Sequence, residues 1–357
     1  MGEMPIMAPA ASEYAKNVDV LYWTLTALTV IFTVLVLAVL LFLVARYQRG
    51  NNVDRSNPVD HHNGLELAWS LPALVLGLGV FVWSAKLFAG SYQPPKNAKE
   101  IFVIGKQWMW HMQHANGIRE NNELHIPVDE PVKFTMISQD VIHAFYVPEF
   151  RMQRQVQPGE YTQMWVTPNR VGKYHLYCNM YCGTQHSEMG GWVYVMSRAD
   201  YDKWASSGGT RAVNPGGIEA TRGGLSLPQQ GKALYEKYQC AGCHGSSSSD
   251  AAKRGPSLAG IFGKSRQLVS GKVVTADDAY LRNAVLYPDE FPLAGWPQGM
   301  PSYKGVLSEG DVVAINAFVK TIGTKDEPHG GTPEQESIPA STDNQQFRYM
   351  YGGEQYQ

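Results

Sequence analysis

The sequence predicts a membrane-anchored multidomain chain: a two-helix transmembrane hairpin, then a β-sandwich, then an all-α domain. Three observations predict it. Two long uncharged runs fall within the first 90 residues, and short β-branched and aromatic segments follow to about residue 200. Past a Gly- and Pro-rich stretch the texture turns helical. A chain of 357 residues accommodates an anchor and two modest domains. The expected divisions are an external N-terminal segment 1–19, the hairpin 20–90 with helices at about 20–45 and 66–88, and the sandwich 95–205. A linker 206–227, a helical domain 228–325 and an extended tail 326–357 complete the chain.

From Val20 to Ala45 no residue is charged, and a second uncharged run goes from Leu67 to Ala85, bounded by Glu66 and Lys86. Runs of this length span a bilayer. Tyr22, Trp23, Trp69 and Trp83 sit near their ends, where interfacial aromatics belong. Pro72 is placed in the first turns of the second helix, where it is tolerated. The competing reading, two core helices of a soluble protein, conflicts with such lengths of uncharged chain. A cleaved signal peptide is opposed by the length of the first run and by Arg46 where a small-residue cleavage site belongs. The connecting loop has Arg46, Arg49 and Arg55, whereas only Lys16 precedes the first helix. The loop is therefore expected on the cytoplasmic side, and everything after residue 90 outside it. Lys and Arg number 30 against 32 Asp and Glu, so no global field points to nucleic acid.

The sandwich is read from Ile101-Phe-Val-Ile-Gly, Val132-Lys-Phe-Thr-Met, Tyr161-Thr-Gln-Met-Trp-Val and Trp192-Val-Tyr-Val-Met, each bounded by turn residues. The helical domain is read from the segments starting at Gln229 and Glu309, with Ser308 as the N-cap of the latter.

All four cysteines lie in two tight groups, Cys178/Cys182 and Cys240/Cys243. Tight pairs beside His hold a metal or a haem more often than they staple distant segments. Between Cys178 and Met189 the chain offers two thiolates, the imidazole of His186 and a thioether. Soft sulfur with imidazole selects copper, and a weak axial Met accompanies copper electron-transfer sites. The second Cys lets two thiolates bridge two coppers. His143 supplies a second imidazole from an earlier loop, with Asp140 placed to orient it. A Cys178–Cys182 disulfide and a tetrahedral zinc site are the alternatives.

These residues resemble subunit II of the haem-copper cytochrome c oxidases, whose cupredoxin domain carries the CuA centre. The likeness includes Glu66-Leu-Ala-Trp69-Ser-Leu-Pro72 and Gly105-Lys-Gln107-Trp108-Met-Trp110, and runs to about residue 200. It implies that His143, Cys178, Cys182, His186 and Met189 ligate dinuclear CuA, with the backbone carbonyl of Met180. It further implies that Trp108 takes in electrons from an external cytochrome c, and that Glu66 stands at the mouth of a proton channel completed by subunit I. Where this chain has Met180 the family usually has a Glu that also ligates magnesium, so that magnesium site lacks its usual ligand here.

Cys240-Ala-Gly-Cys243-His244 is a haem c attachment sequence: two thiols for the haem vinyl groups and a proximal imidazole. Arg254-Gly-Pro256 and Gly299-Met300-Pro301-Ser-Tyr303 follow in the order found in class I cytochromes c, which implies Met300 as the distal ligand. His329, beyond the last helix, is a poor substitute.

The resemblance as a whole implies subunit II of a caa(3)-type oxidase in the bacterial inner membrane, multi-pass, with its soluble domains on the periplasmic or outer face. The implied partners are subunit I with haem a and the haem–copper site, other oxidase subunits, and an upstream cytochrome or complex III-like donor. A CuA-containing nitric oxide reductase subunit is the rival of the same architecture. A docking module with decayed metal sites is the rival from another class. The tail lacks an apolar period, so it is expected to lie along a neighbouring subunit or donor through Phe347, Tyr349 and Tyr351.

Overall fold

Helix α1 covers Glu13–Tyr47 and α2 covers Asn63–Gly90 in the computed structural model, which describes residues 7–54, 56, 61–208, 225–245, 254–296 and 299–328. Arg55, linker positions 209–224, His329 and the tail from residue 329 onward, with Phe347, Tyr349 and Tyr351, lie outside the described residues. Both helices carry apolar side chains exposed on the chain's own surface: Leu40, Phe42, Leu74 and Phe81 are 56, 65, 59 and 67% accessible. In a soluble core those side chains would be covered, so the core-helix reading fails.

Helix α1 begins seven residues before the uncharged run. Ser12 caps it, accepting from the Ala15 N–H at 3.0 Å and donating to the Phe150 carbonyl at 3.3 Å. Residues 13–19, expected as a separate external segment, are the foot of this helix. Ala11 and Ala15 are fully buried, and Arg151 donates to Asp19 at 2.8 Å. The uncharged run marks lipid thickness rather than helix ends, which is why Glu13, Lys16 and Asp19 did not read as helical. Pro72 also moves: with α2 starting at Asn63 it lies in the helix interior, where it cannot donate to the Ala68 carbonyl.

Ten strands make the sandwich: β1 (Lys99–Lys106), β2 (Met109–His114), β3 (Arg119–Asn121), β4 (Glu123–Pro127) and β5 (Val132–Ser138), then β6 (His143–Val147), β7 (Met152–Val156), β8 (Thr162–Val166), β9 (Gly172–Cys178) and β10 (Gly190–Met196). One sheet runs β3-β2-β1-β5-β8 and the other β4-β10-β9-β6-β7. Register sets Val103 beside Met112 and Met136, so alternate residues enter one core with Trp110, Phe134, Phe145, Leu176 and Val193. The short helix α3 (Arg198–Ser206), capped by Ser197, buries Tyr201 and Trp204 against Ile118.

The C-terminal domain contains α4 (Leu227–Lys237), α5 (Ala241–His244), a small hairpin of β11 (Ser265–Gln267) with β12 (Val273–Thr275), α6 (Asp278–Leu286) and α7 (Glu309–Thr321). Ser308 and Asp311 form a reciprocal capping box on α7. Helices α4 and α7 cross at Gly231, where even a methyl group would lie 1.9 Å from the Ala314 carbonyl oxygen. This helix pair lies on the outer face of the first sheet. Phe102 of β1 is buried there with Leu227, Val313 and Ala314. The Leu227 N–H donates to the Ala115 carbonyl at 3.2 Å, and Lys320 approaches Glu100 at 3.8 Å.

Candidate metal and haem centres

The loop from Cys178 to Met189 joins β9 to β10. Those strands pair with Tyr177 opposite Gly190, and the Cys178 N–H donates to the Met189 carbonyl at 3.0 Å. Both ends of the loop are therefore fixed. The two thiol sulfurs lie 3.8 Å apart, far beyond the ~2.05 Å of a disulfide, and both cysteines are free. His143, at the start of β6, is wholly buried, and its Nδ1 faces the Cys178 sulfur at 3.9 Å. Its Nε2 donates to Asp140 Oδ1 at 2.8 Å. Asp140 also accepts from the backbone N–H groups of Gln107 and Val141, each at 2.7 Å, and from Ser138 Oγ at 3.3 Å.

The remaining predicted donors fall on two sides of the thiol pair. The Met180 carbonyl lies 3.3 Å from the Cys178 sulfur. His186 Nδ1 and Met189 Sδ lie 3.6 and 3.7 Å from the Cys182 sulfur. Met189 is buried and His186 half-buried. One ligand atom each from His143, Cys178 and Cys182 fall within 4.8 Å of one another. Two metal–thiolate bonds of about 2.3 Å each span the sulfur separation, so the site accepts metal between its sulfurs without rearrangement.

Protonation follows the same geometry. Burial opposes the Cys178 thiolate, but hydrogen bonds from His143, the Ala144 N–H and neighbouring groups outweigh it and bring the thiol down to about 6. Burial and the charge on Cys178 push Cys182 up to about 12. One thiolate forms readily, and the second needs a cation beside it.

Trp108 is half-buried against the sandwich core, and its Nε1–H donates to the Cys182 carbonyl at 3.3 Å. Glu66 is exposed in the first turn of α2, away from this cluster. Sequence reasoning missed the supports. Gly105 leaves room for the His143 ring, because a methyl there would lie 2.9 Å from Cδ2. Gln107 donates its side-chain amide to the Cys182 carbonyl at 2.8 Å. Both residues lie in the quoted Gly105–Trp110 segment, but their partners are distant in the chain and no spacing reveals them.

In the C-terminal domain Cys240, Cys243 and His244 lie together on the turn that closes α4 and on α5. Both thiols are free and half-buried. His244 Nδ1–H donates to the Pro256 carbonyl at 2.9 Å, which leaves Nε2 as the unprotonated nitrogen suited to haem iron. A methyl on Gly255 would lie 2.6 Å from the His244 ring, so only glycine lets this carbonyl close on the imidazole. Met300 is half-buried on the loop before α7. That loop is pinned by Ser302 donating to the Leu286 carbonyl at 2.6 Å and by Tyr303 donating to the Tyr238 carbonyl at 3.0 Å. The second pin ties it to the end of α4, directly before the Cys240 turn. The residues present fit a covalently held haem.

Two apolar helices of membrane-spanning length thus precede a sandwich with a soft-donor cluster and a helical domain with a haem-attachment turn. Residues 113–195 match the family "Cytochrome C oxidase subunit II, periplasmic domain", and residues 228–323 match "Cytochrome c". A cytochrome c oxidase subunit 2 of Alkalihalophilus pseudofirmus is 27% identical over 81% of this chain and 82% of that protein. A heme-copper oxidase subunit 2 of Aeropyrum pernix is 34% identical over 38% of this chain and 60% of that protein. Among solved structures, the periplasmic domain of cytochrome oxidase subunit II of Bradyrhizobium japonicum covers 32% of this chain and 95% of itself, at 24% identity and a TM-score of 0.31. The chain thus carries a cytochrome c oxidase subunit II periplasmic domain followed by a cytochrome c domain, and a relative named cytochrome c oxidase subunit 2 aligns with most of its length. These two domains imply a subunit of a haem-copper terminal oxidase that binds copper and haem c, and the two apolar helices are long enough to anchor it in a membrane.

Proposed function

We propose that this chain is subunit II of a caa(3)-type cytochrome c oxidase, feeding electrons from its own haem c through a dinuclear CuA to subunit I. Copper and haem c, when bound, carry single electrons toward the oxygen-reducing site of subunit I, whose turnover pumps protons. One observation carries the dinuclear reading: four further donors gather at the two free thiols, six donors in all. His143 and the Met180 carbonyl flank Cys178, while His186 and Met189 flank Cys182. A single tetrahedral zinc uses four donors, whereas two ions sharing both thiolates use all six.

In this reading Asp140 holds His143 so that Nδ1 faces the metal, and burial of both thiols keeps water from the site. Cys240 and Cys243 hold the haem covalently, His244 supplies the proximal nitrogen and Met300 the distal sulfur. Trp108, hydrogen-bonded to a ligand's own carbonyl, is the electron-input residue. Glu66 lies where α2 begins and is assigned to the mouth of the proton channel. With Met180 in place of the usual Glu, no side-chain carboxylate is available there for magnesium. Helices α1 and α2 cross the bacterial plasma membrane as a hairpin, with both soluble domains outside and an upstream cytochrome as donor.

Cys182→Ser in the purified complex tests the reading. The mixed-valence EPR signal of a copper pair should disappear while covalent haem c remains. A variant that keeps two coppers and an unaltered spectrum would refute the assignment of the loop.

A further inference from the structure

Gln107 sits between the two segments that supply the copper donors and bonds to both. Its backbone N–H donates to Asp140 Oδ2 at 2.7 Å, and Asp140 Oδ1 accepts from His143 at 2.8 Å. Its side-chain Nε2 donates to the Cys182 carbonyl at 2.8 Å, which also receives the Trp108 indole N–H at 3.3 Å. The next residue is built for that contact. Gly183 has φ +118°, and a methyl there would meet Gln107 Nε2 at 3.0 Å and Trp108 Cζ2 at 3.1 Å. A side chain at position 183 would push both donors off the carbonyl.

We infer that Gln107 is a positioning residue for the copper centre, locking the Cys182 carbonyl through its amide and the carboxylate behind His143 through its backbone. This inference rests on the copper reading above. Of the two thiol residues, Cys182 is the one outside any strand. Cys178 is the last residue of β9 and His143 the first of β6, whereas Cys182 lies in mid-loop with Tyr181, 77% exposed, before it. Two N–H donors on its carbonyl fix the peptide plane from which the thiolate projects. They also place two positive dipole ends on the backbone of a thiolate ligand, which would favour the reduced state of a bound metal. Removing the Gln107 amide should therefore lower the copper potential and blur the geometry, without removing any ligand.

The test uses the intact oxidase complex carrying Gln107→Glu, Gln107→Ala or Gly183→Ala, read by copper content, EPR and a redox titration of copper against haem c in the same sample. Gln107→Glu keeps the shape of the side chain, and its carboxylate cannot donate to the carbonyl. Copper content should stay at the wild-type level. The equilibrium constant for electron sharing between haem c and copper should move about two- to tenfold toward oxidised copper, the worth of one hydrogen bond. Gly183→Ala should reproduce the shift with Gln107 present, because it displaces the same donor. If the wild-type complex shows a dinuclear copper signal and all three variants keep its hyperfine pattern and potential, the inference is overturned while the copper reading stands. A wild-type complex with no dinuclear signal overturns the copper reading, and this inference with it.

Discussion

Asp140→Ala removes the group that holds His143 in place, and the structure sets the size of the effect. The carboxylate accepts from His143 Nε2 at 2.8 Å, from two backbone N–H groups at 2.7 Å and from Ser138 Oγ at 3.3 Å. The bond to His143 is charge-assisted, and losing one of that kind costs about 1.5–3 kcal/mol, equivalent to about 10- to 150-fold in a binding constant. Loss of an outer partner of a metal-ligating His ordinarily costs about 10- to 100-fold in affinity, so the two estimates agree. The ring is wholly buried, but the Asp140 side chain is 26% accessible, so water entering the vacated space should keep the loss toward the lower end of that range. Copper retention should be measured by chelator competition on the purified complex, with haem c absorbance as internal standard. Asp140→Asn should fall between wild type and Asp140→Ala: its oxygen still serves His143, but its amide then faces the Gln107 N–H as donor against donor. Equal retention in wild type and Asp140→Ala would refute the claim that this carboxylate orients His143 for metal.

Two further outcomes follow from packing and charge. Gly231→Ala should destabilise the haem domain by about 1–3 kcal/mol, because its methyl would lie 1.9 Å from the Ala314 carbonyl and the two helices must separate; thermal melting followed in the haem band should shift down while the copper EPR signal stays. Glu120 is buried, which alone would raise its pKa, but His114 and His125 both donate to its carboxylate and hold it below its ordinary 4.5. A depressed carboxylate stabilises the fold above its ordinary pKa and loses that contribution as pH falls toward the lower, folded value. Melting temperature should therefore drop in acid below about pH 4.5 in wild type, and Glu120→Gln should flatten that part of the curve while being less stable at neutral pH.

The chemistry-bearing residues were legible because each site is written largely in one short segment: Cys178 to Met189 for copper, Cys240 to His244 for haem. His143 and Met300 had to be found at a distance, the first marked by a neighbouring Asp and the second by the Gly299–Tyr303 segment. The membrane helices were legible from absent charge, but their ends were not, because the helix runs beyond the apolar stretch through Glu13 and Asp19, and Asp19 meets Arg151. Helix α3 escaped notice since nine residues carrying four charges read as loop, and partners distant in the chain, Ile118 and His125 among them, explain why Tyr201 and Trp204 point inward. The placement of the haem domain was the least legible feature. Phe102 reads as an ordinary strand residue, and nothing local says that it meets Val313 rather than solvent. The same holds for Arg282, whose guanidinium is buried against Glu309 and reaches the Gly159 carbonyl of the sandwich at 3.4 Å.

The most direct test of the account is the order of reduction in the intact complex. Stopped-flow mixing with a reduced donor cytochrome, in the absence of oxygen, should be followed in the haem c band and in the near-infrared copper band together. The account predicts that haem c is reduced first and that the copper band bleaches afterwards. In Cys182→Ser, haem c should still reduce at the wild-type rate while oxygen consumption collapses. Copper reduced ahead of haem c, or sustained oxygen consumption in the Cys182→Ser complex, would contradict it.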